Sequence, residues 1–117
     1  MSQHLNQFGQ PVGQPLPDWQ TRSLPQHQVF NGESCRLEPF SAARHGDALS
    51  EAWGLAEDGR DWTYMCMGPF NDRQAWQDYF SQMEGSRDPL HFAVIDIATE
   101  QAVGSLSLMR IQPEHGV

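Results

Sequence analysis

The sequence contains no lysine, and its seven basic residues are all arginines that stand singly along the chain. Acidic residues outnumber them, which gives a net charge of −8. Phosphate backbones are bound by clustered cations that displace counterions, so this pattern argues against nucleic acid and anionic membranes as partners. The lack of lysine also excludes a Schiff-base nucleophile and a phosphate-binding loop of the GxxxxGK[ST] type.

Cysteines and long apolar runs are scarce as well. Only Cys35 and Cys66 are present, and without a secretory leader two such residues are more often buried free thiols than a disulfide. The residues after Met1 form no charged segment followed by an apolar run, and no window approaches the roughly 18 apolar residues of a membrane span. We therefore expect a cytoplasmic protein.

Two common kinds of catalytic site lack their signatures. The five histidines form neither HxxxH nor HExxH, and no carboxylate accompanies them at ligand spacing, so solvated or packed histidines are favoured over a metal site. No GxSxG motif is present, and Ser105 falls in a strand pattern, where a nucleophile is unusual. The sequence therefore predicts neither a metal centre nor a serine nucleophile.

The N-terminal 32 residues differ in composition from the rest of the chain. They hold four of the eight prolines and seven glutamines, and their apolar residues are spaced too irregularly for a helix or a strand. We interpret residues 1–32 as a Pro/Gln-rich arm and residues 33–117 as the folded domain. The arm could be anchored on that domain by Phe8, Leu16 and Trp19, or it could be loose.

The first part of the folded domain reads as a strand followed by a helix. Residues 34–40 alternate polar and apolar side chains up to Pro39, which is typical of a short strand near a sheet edge. Ser41 offers a hydroxyl as an N-cap, and apolar residues recur with helical spacing before Gly54. Gly46 weakens the first turns of this helix by about 1 kcal/mol relative to alanine.

A second helix and two strands follow. Asn71 is the expected N-cap, with Gln74 three residues later, and Gly85 ends the helix. Its apolar stripe consists of Trp76, Tyr79, Phe80 and Met83. Burial of these four side chains contributes roughly 6 to 12 kcal/mol to the stability of the fold.

Residues 90–96 and 102–111 are apolar enough for two strands, and the five residues between them favour a hairpin. Residues 112–116 then form a turn, and Val117 looks like the first residue of a further strand. The resulting order of strand, helix, helix, strand and strand predicts an α/β (α+β) fold whose sheet is incomplete.

Three stretches carry a resemblance to a known family. They are CRLEPF from Cys35 to Phe40, WTYMCMGPF from Trp62 to Phe70, and FAVIDIATEQAVGSLSLMRI from Phe92 to Ile111. Together they resemble the opening half of the GNAT superfamily of N-acetyltransferases, in particular the branch of the ribosomal-protein alanine acetyltransferases. The QPVGQPLPDW run of the arm is similar to the leader of one subgroup.

The resemblance implies that the chain is the N-terminal part of a GNAT-like mixed sheet and that the parent protein transfers acetyl from acetyl-CoA to a primary amine. The family holds the pyrophosphate of acetyl-CoA at a helix N-terminus after a QxxGxG or RxxGxG turn. This sequence lacks that turn, so we expect the acetyl-CoA site beyond Val117. The segment itself is then expected to be inactive alone and to supply the acceptor side.

In this family the connection between the first two helices faces the acceptor. The resemblance therefore implies four substrate-binding residues, with burial as plain core the competing interpretation: Trp62, Tyr64, Met67 and Phe70. Tyr64 could also donate a proton to a leaving thiolate. The nearby acids are interpreted as loop and cap residues rather than bases, and they are Asp58, Asp61 and Asp72. The sequence identifies no catalytic base.

The expected partner is an amine, either a protein N-terminus or a small molecule, which the negative charge of the segment would attract. An interpretation of a different class stays open. An incomplete sheet leaves a strand edge free to pair with another chain, so the 117 residues could form a small binding module or a homodimer without enzymatic activity.

Overall fold

The computed structural model describes residues 2–117 and divides them into two compact units. One unit combines residues 2–24 with Gln112–Val117, and the other is Pro25–Ile111.

The first unit contains a small antiparallel hairpin of β1 (His4–Leu5) and β2 (Pro11–Val12). The side-chain oxygen of Asn6 accepts two backbone N–H groups of the turn, at 2.9 and 3.0 Å. Gly9 has a φ of 76°, which a residue without a Cβ adopts at little cost. The expectation that residues 1–32 hold no strand is wrong, because this turn brings two short extended segments together without an apolar pattern.

Trp19 and Arg22 connect the two stretches of the first unit. The indole N–H of Trp19 donates to the carbonyl of Glu114 at 3.1 Å, and the Arg22 guanidinium lies 4.4 Å from the centre of the same ring. Residues 113–115 form a 3₁₀ turn. Val117 exchanges two backbone hydrogen bonds with Gln112, at 3.1 and 2.6 Å, and is not part of a strand, contrary to the expectation.

The second unit is a four-stranded antiparallel sheet with two helices. Between the second and third strands of this sheet the chain forms α1 (Ala42–Gly54) and α2 (Arg73–Gly85). The strands, in their order across the sheet, are β3 (Phe30–Asn31), β4 (Cys35–Pro39), β5 (Leu90–Asp96) and β6 (Gln101–Leu108). The predicted order of strand, helix, helix, strand and strand is confirmed, and β3 adds a short edge strand before it.

Both helices begin at a capping side chain. The hydroxyl of Ser41 accepts the backbone N–H of Arg44 at 3.4 Å, which confirms the predicted start of α1. For α2 the cap is Asp72, whose carboxylate accepts the N–H of Ala75 at 2.8 Å. The prediction of Asn71 is wrong by one residue, and the carboxylate has the advantage of complementing the positive end of the helix dipole.

The core lies between the helices and one face of the sheet. Alternate residues of β5 point to this face, so Ala93 and Ile95 meet the apolar sides of α1 and α2. The buried cluster consists of Phe40, Leu49, Phe80, Met83, Ala93, Ile95 and Ala102. On the opposite face Phe92 is covered by His27 and Phe30, whose ring centres lie 5.0 and 5.8 Å from its own.

The hairpin between β5 and β6 is confirmed, with a register shift at Val94 and Ile95. Strand β6 ends at Leu108, three residues before the predicted end. The reason is the carboxylate of Asp88, which accepts the N–H groups of Arg110 and Ile111 at 2.9 and 3.1 Å and takes the place of a strand partner.

Cys35 and Cys66 are both free thiols, but both are exposed, so the expectation that they are buried is wrong. Cys35 opens β4 beside a turn, and Cys66 lies in the connection between the helices, where aromatic rings fill the interior instead. Among residues 2–117, no helix has the length and apolar character needed to cross a membrane.

A buried carboxylate ties α1 to the sheet. Glu38 of β4 is 5% exposed, and one of its oxygens binds Nε2 of His45 at 3.0 Å and the Arg44 guanidinium at 2.8 Å. Its other oxygen binds Nε of Arg36 at 2.8 Å. Hydrogen bonding by His45, and then by Arg36, holds the pKa of Glu38 below its ordinary value.

The proton position on His45 follows from its partners. Nδ1 lies 3.0 Å from the backbone N–H of Ser41 and must accept that hydrogen bond. Nε2 therefore carries the proton and donates it to Glu38. His45 is 3% exposed and thus satisfies one orphan donor at the start of α1 as well as the buried carboxylate.

Candidate active-site cleft

The connection between α1 and α2, residues 55–72, forms turns around one 3₁₀ segment at Arg60–Trp62. Asp58 orders its start, because its carboxylate accepts the backbone N–H of Arg60 at 3.0 Å and also binds the guanidinium of the same residue at 2.8 to 3.1 Å. The chain therefore turns back towards the helices, and Trp62 reaches the aromatic residues of both.

Trp62 is held between rings from three directions. Its ring centre lies 6.0 Å from that of Trp53 on α1, 6.2 Å from Trp76 on α2 and 5.7 Å from Phe70. The contacts with Trp53 and Phe70 are edge-to-face, at 88° and 75°, which is a favourable arrangement for aromatic quadrupoles. Trp62 is thus fixed in place although it lies in an irregular connection.

Gly68 allows the closest approach to Trp62. A Cβ built on Gly68 would lie 2.3 Å from Cε3 of the indole, and its φ is 74°, in the left-handed region that favours glycine. Both the position of the ring and the path of the backbone therefore require glycine here.

Beside these rings is a half-open cleft of about 550 Å³, which falls within the roughly 300 to 1,000 Å³ typical of small-molecule sites. It lies between the C-terminal end of α1, the connection, α2 and the face of β6. Its walls are mostly apolar and are formed by Ala52, Trp53, Leu55, Ala56, Asp61, Trp62, Met65, Tyr79 and Ser105.

Three polar side chains reach the cleft, and only one of them is a carboxylate. Asp61 contributes the negative charge, while Tyr79 and Ser105 contribute hydroxyl groups. Burial, with a smaller effect of Cys66, raises the pKa of Tyr79, so its hydroxyl keeps its proton at neutral pH and can donate a hydrogen bond. No arginine or lysine is among the lining residues.

A larger groove, of about 880 Å³, lies between the N-terminal halves of α1 and α2. Its walls are the outward faces of the two helices and include Asp47, Glu51, Gln74 and Asp78. We place the candidate site in the smaller cleft because there the aromatic and polar side chains converge from four separate elements, as ligand sites require.

The structure places the four residues implied by the resemblance in different environments, and only one of them lines the cleft. Trp62 lines the cleft, and Phe70 lies behind it, stacked on Tyr79 at 4.7 Å between ring centres. Tyr64 is 99% exposed and lies outside the cleft. Met67 is half-buried, with its sulfur 3.9 Å from that of Cys66.

Several lining residues were not recognised as site residues from the sequence. The helical spacing before Gly54 includes Trp53, and the stripe of the second helix includes Tyr79, so both are expected on apolar helix faces, while Asp61 is expected to be a loop acid. The sequence did contain one signal, because Asp61 is adjacent to Trp62, which the resemblance implies as a site residue. Asp58 and Asp72 are a loop acid and a cap, as predicted.

The described residues do not form a pyrophosphate site at either helix start. Asp72 places a carboxylate at the N-terminus of α2, where it would repel a phosphate. At the start of α1 the Ser41 hydroxyl and the His45 ring already bind the free N–H groups of Arg44 and Ser41. In residues 2–117, no group of three or more His, Cys, Asp or Glu side chains is arranged to hold a metal ion.

The arrangement defines an α+β domain in which two helices cover one face of an antiparallel sheet and an aromatic cleft opens at the end of the first helix. No family model matches the chain, and no curated protein matches it either. Solved structures do match, among them two acetyltransferases.

The first is a GCN5-related N-acetyltransferase from Brucella melitensis, at 36% sequence identity and a TM-score of 0.82, over 86% of this chain and 46% of that one. The second is a probable acetyltransferase of the GNAT family from Chromobacterium violaceum ATCC 12472, at 26% identity and a TM-score of 0.76, over 92% and 53%. The chain thus spans about half the length of each structure. The predicted GNAT-like fold class is confirmed, and the proteins that share it here are acetyltransferases.

Proposed function

We propose that the protein containing this chain is a GNAT-type N-acetyltransferase that transfers an acetyl group from acetyl-CoA to a primary amine. The observation that carries the proposal is the match to a GCN5-related N-acetyltransferase at a TM-score of 0.82 and 36% identity over 86% of the chain. Likeness of fold alone does not define an activity, so the proposal rests on the sequence identity as well as on the shared fold.

In the proposed reaction the amine lone pair attacks the thioester carbon. The N–C bond forms, the C–S bond breaks, and the CoA thiolate accepts the proton that the nitrogen loses. The ammonium must first be deprotonated, which at pH 7 costs about 1 kcal/mol for an α-amino group and roughly 4 to 5 kcal/mol for a lysine side chain. An acceptor of low basicity therefore needs little help from a protein base.

This segment supplies the acceptor side in our proposal. The aromatic cleft is open, contains a carboxylate and lies in the connection that the family resemblance assigns to the acceptor. The site of acetyl-CoA is then formed by residues outside this chain, because the helix starts at Ser41 and Asp72 do not offer free N–H groups to a pyrophosphate.

Isothermal titration of the protein, as its gene encodes it, with acetyl-CoA tests the proposal. We expect saturable binding, and we expect CoA itself to bind too, because both carry the same pyrophosphate. Mass spectrometry of a mixture of primary amines incubated with protein and acetyl-CoA should then show a product heavier by one acetyl group. Absence of binding at millimolar acetyl-CoA would overturn the enzyme assignment.

A second candidate is self-association through β6. Within the described residues this strand is paired only with β5, and its exposed apolar side chains include Leu106 and Leu108 on one face and Val103 at the register shift. A free edge of this kind is a template for pairing with a second copy of the chain. Analytical ultracentrifugation of the 117-residue chain tests this self-association. A dimer that Leu106→Lys converts to a monomer supports pairing through β6, and a monomer at all concentrations contradicts it.

A further inference from the structure

We propose that the cleft beside Trp53 and Trp62 binds a small primary ammonium compound with an aromatic or branched apolar body, using Asp61 to pair with its charge. This deepens the proposed function, because it names the class of acceptor that the same site takes. Its physical basis is the combination of aromatic walls with a single carboxylate.

The charge of the cleft selects the charge of the ligand. Asp61 is the only carboxylate among the lining residues, and no cationic side chain is there to neutralise it inside the cleft. The guanidinium of the adjacent Arg60 is hydrogen-bonded to both oxygens of Asp58 at 2.8 to 3.1 Å, and Asp61 acts on it only through its charge. An anionic ligand would meet an unpaired carboxylate, whereas an ammonium would find a partner.

The aromatic rings supply apolar surface for the body of the ligand. Trp53 and Trp62 stand almost perpendicular to each other, at 88°. Trp53 is stacked on Trp76, and Gly68 lies against the ring of Trp62, so the rings act through apolar contact while Asp61 supplies the charge.

The polarity of the walls favours a small molecule over a peptide N-terminus. A peptide carries an N–H and a C=O at every residue, and each needs a partner when it leaves water. The polar side chains of the cleft are Asp61, Tyr79 and Ser105, and the other six lining residues are apolar or aromatic. A compound with one ammonium group and an apolar body matches the walls that this segment supplies.

The experiment measures binding to the protein without acetyl-CoA, by calorimetry at neutral pH, with four probes. They are 2-phenylethylamine, its uncharged analogue 2-phenylethanol, its anionic analogue 3-phenylpropionate, and tetra-alanine with a free N-terminus. We expect 2-phenylethylamine to bind about three- to fivefold more tightly than 2-phenylethanol, because it adds an ion pair with Asp61. The carboxylate should bind most weakly.

Two matched variants locate the effect. Asp61→Asn should weaken the binding of 2-phenylethylamine about three- to fivefold and leave that of 2-phenylethanol unchanged, since only the charge is removed. Asp47→Asn makes the same change of net charge on α1 outside the cleft and should have no effect on either. Both side chains are exposed, so neither variant is expected to compromise folding.

Equal affinity for the ammonium and carboxylate probes, or an unchanged affinity of Asp61→Asn for the amine, would overturn the proposal. Tighter binding of tetra-alanine than of 2-phenylethylamine would overturn it in favour of a peptide N-terminus. The result is independent of the acetyl-CoA titration. If the protein binds the amine but not acetyl-CoA, the proposed enzymatic function is wrong and the proposed amine site stands. If it binds acetyl-CoA but not the amine, only the proposed amine site is wrong.

Discussion

His45 donates its Nε2 proton to Glu38 across 3.0 Å, and both side chains are almost completely excluded from water. The pair joins the first turn of α1 to the middle of the sheet. A carboxylate in such a position depends on its partners, because a buried charge that loses them is strongly destabilising.

Glu38→Gln should therefore lower the free energy of unfolding by about 2 to 4 kcal/mol, since the substitution removes the charge that Arg36 and Arg44 face. Urea denaturation followed by circular dichroism measures the change. Asp58→Asn is the matched control: it also removes a carboxylate that faces an arginine, but one in solvent. Its amide oxygen can still accept the N–H of Arg60, so no measurable change is expected. Equal losses in the two variants would show that burial of Glu38 is unimportant.

The same carboxylate predicts a pH dependence. Its pKa in the folded chain lies below the ordinary value of 4.5, so its contribution is fully present above about pH 4.5 and disappears as the pH falls through the lower folded value. Wild type should thus be more stable than Glu38→Gln at neutral pH, and the difference should shrink in acid. Unfolding free energies of both proteins between pH 7 and pH 3 test this, and a constant difference would contradict it.

Gly46 and Gly54 provide a matched pair of helix glycines. A Cβ at Gly46 would lie 3.1 Å from the ring of Phe80, which is itself packed on Phe40 and Trp76, whereas nothing lies within 4 Å of one at Gly54. The gain of about 1 kcal/mol in helix propensity at residue 46 is outweighed by overpacking, which costs roughly 1 to 3 kcal/mol.

Gly46→Ala should therefore lower the thermal midpoint, and Gly54→Ala should raise it slightly, in calorimetric scans of the two variants. If Gly46→Ala is as stabilising as Gly54→Ala, the ring of Phe80 is free to move and the close packing of α1 on α2 is incorrect.

Gly68→Ala tests the support of the cleft. A methyl group there would overlap the indole of Trp62 and would hold alanine at a φ of 74°, so we expect a loss of about 2 to 4 kcal/mol and a displaced ring. The near-ultraviolet circular dichroism should change, and binding of 2-phenylethylamine should weaken. Gly85→Ala, with open space around its Cβ, is the control and should alter neither.

Much of the second unit could be predicted from the sequence because its elements are strongly periodic. The stripe from Trp76 to Met83 and the apolar run from Leu90 to Asp96 each determine a face or a strand without help from distant residues. The end of β6 could not be predicted, because it depends on Asp88, which is 22 residues before Arg110 in the chain.

The site could be predicted only in part, for a related reason. The sequence and the resemblance pointed to the stretch from Trp62 to Phe70 but not to the orientation of its side chains, so Tyr64 and Trp62 were indistinguishable. Which of them faces the cleft depends on Gly68, whose missing Cβ admits the ring of Trp62. The role of His45 could not be predicted either. Its partner, Glu38, can be identified only once the position of β4 beside α1 is known.

The turn between β5 and β6 has a consequence for how this region can vary in length. Tips of hairpins ordinarily tolerate inserted residues, because they extend into solvent. Here Glu100 adopts a φ of 57° and reaches back to Arg36, 2.6 Å away, the same arginine that neutralises the buried carboxylate beside α1. An insertion after Ala98 would move Glu100 away from Arg36. A longer turn between β5 and β6 should therefore weaken the contacts of Glu38, which in turn holds His45 at the start of α1.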